Sequence, residues 1–195
     1  MEEIVIASNN QGKIKDFKVI FPNHHIIGIS ELIPDFDVEE TGSTFEENAI
    51  LKSEAAAKLL NKTVIADDSG LEVFALNGEP GIYSARYAGE DKSDEANIEK
   101  LLNKLGNNTD RRAQFVCVIS MSGPDMKTKV FKGTVSGEIA TAKYGNNGFG
   151  YDPIFYVPKL NKTMAQLSKE EKGQISHRRN AINLLQSYLE GDQHV

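Results

Sequence analysis

The stretch that most constrains this chain is Val64-Ile-Ala-Asp-Asp-Ser-Gly-Leu71. The run from Thr63 to Ala66 reads as a buried strand, and it runs straight into two carboxylates, Asp67 and Asp68. Strand interiors disfavour Asp, and an unpaired carboxylate beside an apolar strand is costly. Side chains alternate along a strand, so the two acids should point to opposite sides. One can be tied up structurally while the other faces a cleft and holds a hard cation. The alternative is an Asx-turn, in which Asp-Ser-Gly simply ends the strand.

The segments before it suggest an α/β chain. Ile4-Val-Ile-Ala7 is a short buried strand that runs into Ser8-Asn9-Asn10-Gln11-Gly12-Lys13. A helical pattern follows with Ile14, Phe17, Ile20 and Phe21, and Ile26 to Ile29 is a second strand, so the opening is βαβ-like. Open α/β sheets bind phosphate at such strand–turn–helix passages, on N–H groups at the positive end of the helix. Lys13 would add a point charge. The passage is not a Walker A loop, because Ile14 follows Lys13, and a plain N-cap turn accounts for it equally well. His24 and His25 have no partner at ligand spacing and read as surface loop residues.

Asp35 to Glu40 alternates acids with Phe36 and Val38, as a solvated strand edge would. Thr44-Phe-Glu-Glu47 is a capping box for a helix from Phe45 to Leu60, on which Asn48 and Lys52 share one side. Lys52 is either a snorkelling lysine or a cation aimed into a polar cleft. Pro80 to Tyr87 reads as a short helix or turn, Ser93 to Leu105 as an amphipathic helix closed by Gly106, and Ala113–Met121 with Lys129–Ile139 as a hairpin. In Tyr144 to Pro153, glycines flank Phe149, Tyr151 and Asp152. Such a loop suits stacking on a flat ligand with Asp152 accepting from a base N–H, or else a bend that packs its aromatics into the core. Ser168-Lys-Glu-Glu171 is a second capping box, before Lys172, and Ser176-His177-Arg178-Arg179 opens a last helix with an apolar stripe from Ala181 to Leu189.

At 195 residues the chain is long enough for one domain over 1–195, with room for two lobes. A net charge of −6 argues against a non-specific grip on nucleic acid or an anionic membrane. The lone Cys117, within Phe115 to Ile119, reads as a buried inert thiol. No disulfide framework or long apolar run is present, which fits a soluble cytoplasmic protein.

Taken together, the motifs resemble the inosine triphosphate pyrophosphatase family. They are Ser8-x-Asn10-x-x-Lys13, Glu39 before Thr41-Gly42, Asn48 to Lys52, Ala66-Asp-Asp-Ser-Gly70, Pro80 to Arg86, Phe149-Gly150-Tyr151-Asp152-Pro153, Lys172 and Ser176-His177-Arg178. The resemblance spans essentially the whole chain, with the motifs in the family's order. It implies a long, twisted mixed β-sheet with flanking helices, two lobes enclosing an active-site cleft, and a homodimer. It also implies Mg²⁺-dependent hydrolysis of ITP, dITP and XTP to the nucleoside monophosphate and pyrophosphate. By that resemblance Asp68 is the catalytic base and a metal ligand, and Glu39 is the second acid at the metal, with Glu40 the alternative register. The turn from Ser8 through Asn9, Asn10, Gln11 and Gly12 to Lys13, assisted by Lys52 and Ser69, binds the triphosphate. Phe149, Gly150, Tyr151, Asp152, Lys172, His177 and Arg178 form the base-recognition set. A pyrophosphatase for another modified base and a non-catalytic nucleotide sensor are the competing readings.

Overall fold

The structure, a computed structural model, describes residues 3–191. In chain order it contains β1 (Glu3–Ile6), α1 (Gln11–Ile20), β2 (His25–Gly28), α2 (Phe45–Leu60), β3 (Val64–Val73) and α3 (Asp94–Leu105). Then come β4 (Arg112–Gly123), β5 (Met126–Ile139), β6 (Phe155–Val157), β7 (Lys162–Thr163), α4 (Lys169–Ile175) and α5 (His177–Leu189). The strands form one seven-stranded sheet in the order β2-β1-β3-β4-β5-β6-β7. It is mixed: β1 lies parallel to β2 and β3, while β6 lies antiparallel to β5 and β7. No helix among the described residues is long and apolar enough to cross a membrane.

The chain divides into two compact units, one of Met1–Asp68, Cys117–Lys132 and Ala181–Val195, the other of Ser69–Val116 and Gly133–Asn180. In the first, the strands bury alternate residues on two faces, as a period of two requires. Ile4, Ile6 and Ile65 pack with Ile14, Phe17 and Phe21 of α1 and with Ala181, Ile182 and Leu185 of α5. Val5, Ala7, Val64 and Ala66 pack instead with Ala56 and Ala57 of α2. The buried side of α2 is built from small residues, Ala49, Ser53, Ala56 and Ala57. Ser53 Oγ lies 2.7 Å from Ser120 Oγ and 2.8 Å from Ser122 Oγ on β4, so this contact is polar but satisfied. In the second unit, Ile98, Leu101 and Leu105 of α3 pack with Leu71, Val73, Phe115, Ile154 and Phe155. Cys117 is buried, as expected.

Several boundaries depart from the sequence reading. β3 does not stop at Ala66 in an Asx-turn. It continues through Asp67-Asp68-Ser69-Gly70 to Val73, because long-range partners neutralise the acids. Asp35 to Glu40 is irregular backbone rather than a strand edge, and Phe36 packs against the α2-side core. An alternation of acids with apolar residues is met equally by a loop that turns its apolar side chains inward. α1 begins at Gln11, which places Gly12 and Lys13 inside its first turn. The α2 cap is one-sided: Thr44 Oγ1 accepts from Glu47 N at 3.1 Å, and the Glu47 carboxylate turns to Ser43 N at 2.6 Å.

The serine cluster gives a direct test of how α2 is held. Ser53→Ala removes the hydroxyl that Ser120 and Ser122 share, with an expected loss of about 1–3 kcal/mol for buried polar groups deprived of a partner. Urea unfolding checks this, and an unchanged midpoint would show that the cluster does not hold the helix.

Candidate active site

The alternation along β3 carries straight into its acids. Asp67 follows Ile65 onto the α1 side, and Asp68 follows Ala66 onto the α2 side. On the first side Lys13 of α1 reaches Asp67 with both carboxylate oxygens in range, Nζ–Oδ1 3.0 Å and Nζ–Oδ2 2.9 Å. Asp67 is 3% exposed, so this pair is a buried charge with its compensating cation. On the second side Lys52 of α2 donates to Glu40 Oε1 at 2.6 Å and to the Asp67 main-chain oxygen at 2.8 Å. Its ammonium stands 4.0 Å from Asp68 Oδ1.

Asn48, one turn earlier on α2 and buried, joins this set. Its Oδ1 accepts from Gly42 N at 2.8 Å, and its side chain also hydrogen-bonds Asp68. Position 42 must be glycine for lack of room, since a Cβ there would lie 2.6 Å from Asn48 Oδ1 and 2.7 Å from Glu47 Cβ. Burial pushes the Asp68 carboxyl up from 3.8 to about 6; Lys52 and Asn48 pull it down, and the charges of Glu40 and Asp67 push it up. For Lys52, burial lowers the ammonium, but Asp68, Asp67 and Glu40 together more than reverse that and hold it above its ordinary value.

The turn after β1 forms an N-cap turn. Ser8 Oγ accepts from Asn10 N at 3.1 Å, and Asn10 Oδ1 accepts from Lys13 N at 3.3 Å, an N-cap bond. Asn9 and Gln11 are exposed at this positive helix end.

In the second unit, the 144–153 loop buries Tyr151 and leaves Phe149 outside the core. Tyr151 is buried and donates from its hydroxyl to Ser84 O at 2.7 Å, whereas Phe149 is 69% exposed. Asp152, buried, accepts from Phe149 N at 3.0 Å and pairs with Lys172 of α4. The Lys172 ammonium stands 4.7 Å from the centre of the Phe149 ring. Gly148 has φ +77° and a Cβ there would fall 2.0 Å from Asp152 Oδ2, so only glycine allows this turn. In the first turn of α5, His177 stacks on Phe115 at 5.0 Å and 20°, and Arg178 beside it is half-buried.

Not every expected residue joins these groups. Glu39 is exposed, and its neighbour Glu40 is the acid that meets Lys52. Ser69 is half-buried on β3, one residue beyond Asp68. The residues that sequence reasoning did not assign to the site are Asp67 and Asn48, while Glu40 stood there as the alternative to Glu39. The i, i+4 spacing of Asn48 and Lys52 was the available signal for one of them. Among the described residues no group of three or more His, Cys, Asp or Glu side chains is placed to hold a metal. The donor set still suits a hard divalent cation. Glu40 and Asp68 converge on one ammonium, and acids crowded enough to raise one of them favour an added positive charge.

The elevated Asp68 group predicts a pH-dependent effect. The folded chain binds that proton more tightly than the unfolded chain, so the group favours folding below about pH 4 and this contribution is lost as pH rises to about 6. Without divalent cation, Asp68→Asn is therefore expected to stabilise the chain at pH 8 by about 1–2 kcal/mol, discounted for residual solvent screening. The gain should vanish near pH 4. Thermal melts in chelator across that range check it, and a variant no more stable than the parent at pH 8 would refute the burial argument.

Comparison with known proteins agrees with the motifs. The Ham1 family model matches residues 4–188. A dITP/XTP pyrophosphatase of Staphylococcus aureus (strain MW2) is 91% identical over 195 residues, all of both chains. One of Staphylococcus epidermidis (strain ATCC 12228 / FDA PCI 1200) is 76% identical over 195 residues, again all of both. Among solved structures, the Staphylococcus aureus Ham1 protein superposes with a TM-score of 0.96 at 91% identity, covering 98% of this chain and 100% of that one. A HAM1 protein from Coxiella burnetii does so at 0.94 and 43%, with the same coverage. The chain belongs to the Ham1 family, the inosine triphosphate pyrophosphatase family that its motifs resemble.

Proposed function

We propose that this chain is a nucleoside-triphosphate pyrophosphatase that hydrolyses dITP, XTP and ITP to the monophosphate and pyrophosphate, using Mg²⁺, and so removes deaminated purines from the nucleotide pool. Two full-length relatives carry the name dITP/XTP pyrophosphatase. The observation that carries the chemistry is the Asp67–Asp68 step, where successive acids on opposite faces of one strand each meet a lysine from a different helix.

Cleavage between the α and β phosphorus atoms needs charge neutralisation and a positioned water. Lys13, with Ser8, Asn9, Asn10, Gln11 and Gly12 around the start of α1, binds phosphate oxygens through the lysine charge and the positive end of the helix. Lys52 and Ser69 assist. Asp68 orients the attacking water and takes its proton on a carboxylate oxygen, in a pocket where burial and the charges of Glu40 and Asp67 favour its protonated form. Mg²⁺ is held by Asp68 with one acid of the Glu39–Glu40 pair, Glu39 by its place before Thr41-Gly42 and Glu40 by its contact with Lys52. When bound, it supplies charge neutralisation on the phosphate oxygens.

For the base, Phe149 offers a stacking surface on the Gly150-Tyr151 turn, with Asp152 and Lys172 beside it. His177 and Arg178 donate toward the 6-oxo group of hypoxanthine or xanthine. Adenine has an amino group there, which leaves such a donor unpaired, and polar mismatches of this kind discriminate strongly. The enzyme acts as a homodimer in the cytoplasm, as its family implies, and light scattering on the purified chain tests the dimer.

Pyrophosphate release from dITP, XTP, ITP, GTP and ATP, with Mg²⁺ and then with chelator, is the deciding assay. Release from the first three should exceed that from GTP and ATP at least tenfold and stop in chelator. Faster turnover of ATP, GTP or a pyrimidine triphosphate would sink the assignment. Asp68→Asn should lose at least a hundredfold in kcat while still binding dITP, since a positioned base supplies about that much. Glu39→Gln and Glu40→Gln separate the two acids: the one that holds the metal should need about tenfold more Mg²⁺ for half-maximal rate.

A further inference from the structure

We propose that Asp94, the first residue of α3, is a positioning residue for the Phe149 ring. This rests on the reading of Phe149 as the surface on which the base stacks. The ring is 69% exposed, so side-chain packing does little to fix it. What fixes it is the backbone on both sides. The peptide N–H before its Cα, that of Phe149 itself, donates to Asp152 Oδ2 at 3.0 Å. The peptide N–H after it, that of Gly150, donates to Asp94 Oδ2 at 2.7 Å. With both flanking peptides pinned, φ and ψ of Phe149 are set, which fixes the direction of its Cα–Cβ bond and so the point from which the ring extends.

The pin matters because of its neighbours. Gly148 and Gly150 have φ +77° and +58°, and residues free to visit such conformations are also free to leave them. Asp152 secures the first peptide through its carboxylate and reaches the second only through its own N–H, a neutral bond to Phe149 O at 3.2 Å. Asp94 secures the second with a charge-assisted bond, roughly twice as strong as a neutral one. The adjacent Glu95 pairs with Lys143 on the same loop, but both side chains are largely exposed and such a pair adds little.

An acid in the first turn of a helix ordinarily complements the helix dipole, and Asp94 does that as well. The two roles separate through Ser93, whose side chain caps α3 by accepting from Ala96 N at 3.2 Å and makes no bond to the loop that carries Phe149. Loss of that cap should lower stability and leave the ring where it is.

The test measures kcat and KM for dITP and XTP, together with Tm, in wild type, Asp94→Ala, Asp94→Asn, Ser93→Ala, Phe149→Ala and the Asp94→Ala/Phe149→Ala double variant. Asp94→Ala should raise KM about tenfold, the equivalent of one charge-assisted hydrogen bond, with kcat within about twofold. Asp94→Asn keeps an acceptor oxygen and should fall nearer wild type. Ser93→Ala should lower Tm with KM unchanged, and in the Phe149→Ala background the Asp94 substitution should add nothing. An unchanged KM in Asp94→Ala, an equal rise in Ser93→Ala, or full additivity in the double variant would overturn the positioning role alone. A wild-type chain that releases no pyrophosphate from either substrate would overturn the pyrophosphatase reading and this proposal with it.

Discussion

The structure of the first unit depends on two neighbouring carboxylates that cannot share a partner. Because β3 alternates, Asp67 and Asp68 face different helices, and each needs its own cation where burial limits the screening that water gives. Lys13 and Lys52 meet that need from α1 and α2. The compensation is unequal. Asp67 is nearly out of solvent and closely paired with Lys13. Asp68 shares Lys52 with Glu40, sits farther from the ammonium and is left with a raised carboxyl. Neighbouring acids in different surroundings can divide into a structural one and a reactive one, and that difference is the physical basis for proposing Asp68 as the base.

Placing Lys52 also depends on apolar packing. A lysine that donates to the main-chain oxygen of Asp67 must come from a helix lying close to the strand. The small buried face of α2 permits that closeness: alanines at 49, 56 and 57, and Ser53 immediately beside Lys52 in sequence. Larger residues there would lift the helix and lengthen the contact to Asp68. The buried serine contacts with β4 then fix the depth of the helix against the sheet. Packing and electrostatics are therefore one constraint at this site.

Much of this was legible in the sequence where the signals are local. The βαβ opening, the helix that begins after Thr44, the capping box at Ser168 and the apolar stripe of α5 all follow from spacings of a few residues. The course of β3 was not, because Asp is a poor strand residue until a lysine far away in the chain neutralises it. Glu39 and Glu40 could not be told apart because they lie in irregular backbone, where no period says which side chain turns inward. For Phe149 and Tyr151, composition predicts that aromatics in a glycine-rich loop either stack or pack. Only the Ser84 carbonyl, more than sixty residues away, decides that Tyr151 is the one that packs.

The two units solve the problem of a rigid polar surface differently. In the first, long side chains are immobilised by charge: each lysine has a carboxylate and so presents its ammonium from a fixed point. In the second, an exposed ring carries the Lys172 ammonium over its face, and the peptides beside it are pinned by carboxylates. A phosphate is satisfied by positive charge from several directions, so point cations suffice. A flat base needs an oriented surface, and the backbone dihedrals set the direction from which such a side chain leaves the chain. The sequence reflects this: lysines sit on helices where charge is required, and the exposed aromatic is flanked by glycines whose freedom is removed by carboxylates.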